Sequence, residues 1–162
     1  MVGKKPFIDK LQMVFDEGLY DPANEPDIAY PYLFSYFKGE EWRTQKETQR
    51  LLDKYFTTKP DGIPGNDDTG TMSSWAIFNM IGFYPDCPGL PEYTLTTPVF
   101  DKVTIRLDPK WYKEKELVIE SNRAQPGTLY INKVLLNGKK FNKYRITHDE
   151  LVHGQHIYFD LK

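Results

Sequence analysis

Apolar residues recur at helical spacing through the first half of the chain and at alternating spacing through the second. Phe7, Ile8, Leu11, Val14 and Phe15 fall on one helical face, and Gly18 stops the run. Pro31 suits a first helical position, which predicts a second helix through Tyr32, Leu33, Phe34, Tyr36 and Phe37 to a stop near Gly39. A third, from about Glu41 to Phe56, is polar from Arg43 to Arg50 and is expected to bury Trp42, Leu51, Leu52 and Tyr55. The fourth, from about Thr69 to Ile81, is apolar or small nearly all round, a pattern that asks for burial on most sides.

From about Glu92 the period falls to two. Val103, Ile105 and Leu107 alternate, as do Leu117 and Ile119, then Leu129 and Ile131. Val134, Leu135 and Leu136 run into Asn137-Gly138, a hairpin signal, and Ile157 to Leu161 reads as a closing strand. Thr147 with Glu150 three residues on predicts a capping box at the start of a short helical turn. Tyr84 to Pro91, with three prolines and a glycine, is the natural joint. The chain therefore reads as α+β, with a helical part over residues 1–85 and an antiparallel β part over 91–162.

Composition narrows the function classes. Among 162 residues, 21 basic side chains face 23 acidic ones without long blocks of either sign, which argues against nucleic acid and against an anionic membrane surface as partners. No apolar stretch approaches a bilayer span, and the first residues have no apolar core of signal-peptide type. Cys87 is the single cysteine, so no intrachain disulfide forms, and between Asp86 and Pro88 it reads as a packing residue. His148, His153 and His156 straddle Gly154 without a cysteine and read as surface or turn residues rather than a zinc set. Aromatic content is high at 15%, which suits a packed core and equally suits stacking against sugar faces.

The chemistry-bearing stretch is Pro60 to Trp75. Glycines and prolines fix a loop before a buried helix, and Asn66, Asp67 and Asp68 crowd the helix entrance. Asp68 or Thr69 suits the N-cap, and Asp67 suits the positive end of the helix dipole. One cap suffices, so a carboxylate is left over that could act as a general base or ligate a metal or a sugar hydroxyl. A second stiff loop, Tyr20 to Asp27, presents Asn24 and Glu25 between two X-Pro steps. If both loops lie at one end of the helical layer, Asn24 and Glu25 face the cavity that Asp68 faces.

The stretches YDPANEPDIAYPYLFSY, EEWRTQKETQRLLDKYF and PDGIPGNDDTGTMSSWAIFNMIGFYPDCPG resemble glycoside hydrolase family 92, as do YTLTTPVFDKVTIRL and LNGKKFNKYRITHDELVHG further on. The resemblance implies a calcium-dependent, inverting exo-α-mannosidase acting on mannose-containing glycans, α-1,2 linkages among them. It also implies that the helices come from the end of an (α/α)6 barrel, followed by a trailing β-sheet or sandwich region. On the matching positions Asp68 is expected to be the general base and Asn66 a partner orienting the water. Asn24, Glu25 and Asp67 are expected around the sugar, with Glu25 and Asn24 also candidates for calcium. Ala29 stands where a number of members carry histidine.

The family's general acid is a glutamate upstream of Gly3. Inversion needs both carboxyl groups, about 6.5–9.5 Å apart, so this chain is expected to be a C-terminal portion that is inactive alone. Its expected partners are the N-terminal part of the enzyme or a second copy of itself. Members are often secreted or periplasmic. The alternatives are a glycan-binding or protein-interaction module without catalysis, and a remnant of a truncated gene.

Overall fold

In the computed structural model, residues 3–125 and 127–162 are described. Helix α1 (Lys4–Asp16) buries Ile8, Leu11 and Phe15, the face the spacing predicts. It ends in a Schellman turn, with Gly18 at φ 69°, Leu19 N–H donating to Val14 O at 2.9 Å and Gly18 N–H to Phe15 O at 3.3 Å. Phe15 is 1% exposed and packs its ring 5.2 Å from Tyr20 and 5.9 Å from Phe34. Burying such a side chain contributes roughly 1.5–3 kcal/mol.

The second predicted helix is corrected. Glu25–Tyr36 is a run of 3-10 turns with Pro31 inside it and Pro26 near its start. Both prolines lack the N–H that an α-helical ladder needs, so the tighter i→i+3 pattern takes over. Helix α2 (Glu41–Tyr55) forms as predicted, but its buried face differs. Leu51 and Leu52 are buried together with Thr44, Gln45, Glu47 and Thr48, while Trp42 is 40% exposed. Glu47 tolerates full burial because its carboxylate accepts from Gln12 Nε2 at 2.9 Å and from Arg50 Nε at 2.7 Å. Arg43 donates to Gln12 Oε1 at 2.7 Å and Glu40 at 2.8 Å, with its guanidinium 4.5 Å from the Trp42 ring centre.

Helix α3 (Thr71–Ile81) buries Met72, Trp75, Ala76 and Asn79, but Ile77 is 59% exposed, so burial is less complete than its composition suggests. The chain divides into two compact units, one ending at Ala76 and one from Ile77 to Lys162. In the second, β1 (Phe83–Tyr84), β2 (Glu92–Leu95) and β7 (Arg145–Thr147) form an antiparallel sheet in the order β1-β2-β7. The other sheet has the order β3-β4-β8-β5-β6, from β3 (Lys102–Arg106), β4 (Glu116–Arg123), β5 (Ile131–Leu136), β6 (Lys139–Phe141) and β8 (His156–Leu161).

Mixed α+β is thus the observed class, with one departure from an antiparallel β part. Strands β4 and β8 pair in parallel, from Val118↔His156 to Arg123↔Leu161. A parallel neighbour requires a long crossover, and the chain from β5 to β7 with helix α4 (His148–Gly154) supplies it. Leu95, Leu117, Ile119, Ile157 and Phe159 form the centre of this unit's core. Among the described residues no helix is long and apolar enough to cross a membrane.

Candidate active site

The loop after α2 is shaped by two glycines that have no room for a side chain. Thr57 N–H donates to Gly62 O and Gly62 N–H to Lys59 O, each at 2.9 Å, so a Cβ on Gly62 would lie 2.1 Å from Thr57 O. Gly65, at φ +64°, lies against the other candidate loop: a Cβ there would sit 2.6 Å from Ala23 Cβ. The loop carrying Asn66, Asp67 and Asp68 therefore abuts the Asp21–Asn24 turn. Thr57 to Ile63, Gly65 and Asp67 line an open cleft of about 480 Å³ along it.

Ala23 is held from its own side. Its N–H donates to Asp21 Oδ1 at 2.9 Å, and the largely buried Asp27 carboxylate accepts from Asp21 N–H at 3.2 Å and Asn24 Nδ2 at 3.3 Å. The Asp27 charge, followed by its hydrogen bond to the hydroxyl, raises the Tyr30 pKa above the ordinary phenol value. Asn24 and Glu25 are exposed, and one N–H of the Asn24 amide donates to Asp27.

At the helix entrance the capping assignment moves by one residue. Asp67, not Asp68 or Thr69, ties the helix start: its Oδ1 accepts from Ser73 N–H at 2.8 Å and its Oδ2 from Ser73 Oγ at 2.5 Å. The Ser73 hydroxyl, then the Ser73 and Met72 N–H groups, hold the Asp67 carboxyl below the usual carboxylate range despite a small opposing cost of burial. Asp68 opens a 3-10 turn, Asp68–Gly70, in which Thr69 has φ 56° and ψ 23°. A β-branched residue in this region costs about 1–3 kcal/mol. Asp68 itself is exposed, and among the described residues its carboxylate makes no hydrogen bond; only its backbone O accepts, from the Thr71 N–H and from Thr71 Oγ1, the latter at 2.5 Å. Asn66 is likewise exposed.

The arrangement can present two carboxylates and an amide from two touching loops to a ligand in water. As a calcium cage it does not suffice. Among the described residues no three His, Cys, Asp or Glu side chains come together, whereas calcium takes about six to eight oxygens. Asn24 and Glu25 could be two of them. His148 is half-buried rather than a surface residue, with Tyr93 Oη at 2.9 Å and Tyr112 Oη at 3.2 Å, and His156 pairs with Glu120 at 2.9 Å. Ser73, Thr69 and the Ala23–Gly65 contact are the site features that sequence reasoning missed. An acid followed six residues on by serine was visible, but its meaning depends on the left-handed turn between them.

The sequence profile of the glycosyl hydrolase family 92 catalytic domain matches residues 1–162, and the chain belongs to that family. It is similar in structure to a family GH92 α-mannosidase of Bacteroides thetaiotaomicron, at 31% identity and a TM-score of 0.86, covering 98% of this chain and 21% of the other. The same mannosidase in complex with mannoimidazole matches at 32% identity and a TM-score of 0.74, covering 86% and 17%. A family GH92 inverting mannosidase of that organism matches at 34% identity and a TM-score of 0.78, covering 93% and 20%. An uncharacterized secreted glycosidase of Arthroderma benhamiae is 28% identical over 152 residues, 94% of this chain and 19% of that protein. The chain thus spans about a fifth of the length of these relatives.

Proposed function

We propose that these residues form the base side of an inverting α-mannosidase active site, with Asp68 as general base. One observation carries the reading: Asp67 ties the start of α3, which leaves the Asp68 carboxylate exposed and, among the described residues, unbonded, on a loop whose Gly65 abuts Ala23 of the Asp21–Asn24 turn. The relatives described as mannosidases support the substrate class, and the mannoimidazole complex supports a mannose-shaped ligand. In the proposed step Asp68 takes a proton from water as the water oxygen bonds to the anomeric carbon. The glycosidic C–O bond breaks, and the departing oxygen receives a proton from a carboxylic acid outside these 162 residues.

Asn66 accepts or donates a hydrogen bond to that water, and Asn24 and Glu25 meet the sugar hydroxyls. Calcium, where bound, would orient sugar hydroxyls and carry positive charge, and Glu25 and Asn24 would be the residues of this chain to hold it. The secreted relative supports an extracytoplasmic setting. The test is Asp68→Ala in the full-length enzyme acting on an α-1,2-mannobioside. Turnover is expected to fall by about 10²–10⁴-fold with little change in substrate binding. An unchanged rate would mean that Asp68 is a turn residue without a catalytic role.

A further inference from the structure

The turn that carries Asp68 holds Thr69 at φ 56°, ψ 23°, followed by Gly70 at φ +80°. A β-branched residue stays in that region only where its surroundings over-determine it. Here a set of hydrogen bonds does so, the Thr71 N–H to Asp68 O among them. Gly70 N–H donates to Asp67 O at 2.8 Å and Thr71 Oγ1 to Asp68 O at 2.5 Å. Ser73 N–H and Ser73 Oγ donate to the two Asp67 carboxylate oxygens at 2.8 and 2.5 Å. The bonds close on Asp67 and on the Asp68 carbonyl, and none of them uses the Asp68 carboxylate. Its backbone is fixed while its carboxylate, among the described residues, makes no hydrogen bond.

We propose that Asp67 is a positioning residue that acts through Ser73 to set the direction from which the Asp68 carboxylate meets its water, and that it is not a ligand of the sugar. The proposal rests on Asp68 being the base. Both Asp67 oxygens are already committed within the turn, so a sugar hydroxyl would have to share them with the clamp. A base must be held in line with the water it deprotonates, and a displacement of about 1 Å costs on the order of 10²-fold in rate.

The experiment compares Asp67→Ala, Asp67→Asn, Ser73→Ala and Asp68→Ala in the full-length enzyme, with kcat and KM measured separately and folding followed by thermal melting. Asp67→Ala is expected to lower kcat by about 10²-fold at unchanged KM. Asp67→Asn keeps an oxygen acceptor for Ser73 and is expected to recover most of that loss. Ser73→Ala keeps the backbone N–H and should lower kcat by about tenfold, the equivalent of one charge-assisted hydrogen bond; it carries the test if Asp67→Ala does not fold. A raised KM at unchanged kcat in Asp67→Ala would make Asp67 a sugar ligand and overturn the proposal. Wild-type kinetics in Ser73→Ala would overturn it too. A wild-type rate in Asp68→Ala would instead remove the base assignment beneath it, an outcome visible independently of the other three.

Discussion

Gly65 does for the candidate site what no side chain could. Its left-handed backbone and the 2.6 Å that a Cβ would leave to Ala23 mean that the two loops approach only because this position is bare. Gly65→Ala is expected to destabilise by about 1–3 kcal/mol through overpacking and to lower turnover by shifting the Asp68 loop away from Ala23. Removing the opposing methyl in Ala23→Gly/Gly65→Ala should restore part of both. Denaturant titration of the two variants and wild type decides: a Gly65→Ala protein as stable as wild type would show that the loops are not packed there. At this scale the sequence displayed the candidate groups but not their division of labour. Asn66, Asp67 and Asp68 are neighbours of similar chemistry, and any of several could cap a helix. Only the positive φ of Thr69 places Asp67 over Ser73 and leaves Asp68 clear of it. Glu47 is a comparable case, since a glutamate in a polar helical stretch reads as exposed until Gln12 and Arg50 are known to meet it.

Elements whose instructions are local were legible, and those that depend on distant partners were not. The α1 stripe, the Asn137-Gly138 turn with φ 50° and 74°, and the α4 capping box all form as read. The parallel β4–β8 pairing was not legible, because alternation reports which face is buried and not which way the neighbour runs. The 3-10 run over Glu25–Tyr36 mimics helical spacing, and its two prolines decide otherwise. The capping box gives a test of an element by itself. Thr147 Oγ1 accepts from Glu150 N–H at 3.1 Å while Glu150 accepts from Thr147 N–H at 3.0 Å. Thr147→Ala is expected to cost about 1 kcal/mol of stability. The Thr147 N–H first, then Lys143, hold the Glu150 carboxyl below its ordinary value. Its folded pKa is therefore lower than its unfolded one. The stabilisation is present above the unfolded pKa and is lost as pH falls through the folded one. Glu150→Gln should accordingly be less stable than wild type at neutral pH and lose that deficit in acid. A deficit that stays constant from neutral pH into acid would mean that the Glu150 charge contributes nothing.

For the whole molecule the governing fact is coverage: these 162 residues match about a fifth of the relatives' length. The base-side loops sit in the first unit, and on the proposed reading the proton donor for the leaving group lies outside this stretch. Each unit also leaves large apolar side chains in water. In the first, Leu19 is 60% and Tyr36 51% exposed, with Trp42 and Ile63 at 40%; in the second, Trp111 is 72% and Ile77 59% exposed. Scattered apolar residues are ordinary, but aromatic and branched side chains at this exposure are the usual material of an interface. The 162-residue chain in isolation is therefore expected to release no mannose from an α-1,2-mannobioside, with or without calcium, and to self-associate at micromolar concentration. A symmetric dimer is the expected form, because an isologous contact covers the same surface on both copies. Sedimentation velocity over a concentration series separates the outcomes. A boundary that stays monomeric throughout would mean that the exposed side chains form no self-complementary surface. Measurable turnover by the pure chain would mean that a carboxyl group within it, with Glu25 the first to test by substitution, serves as the acid.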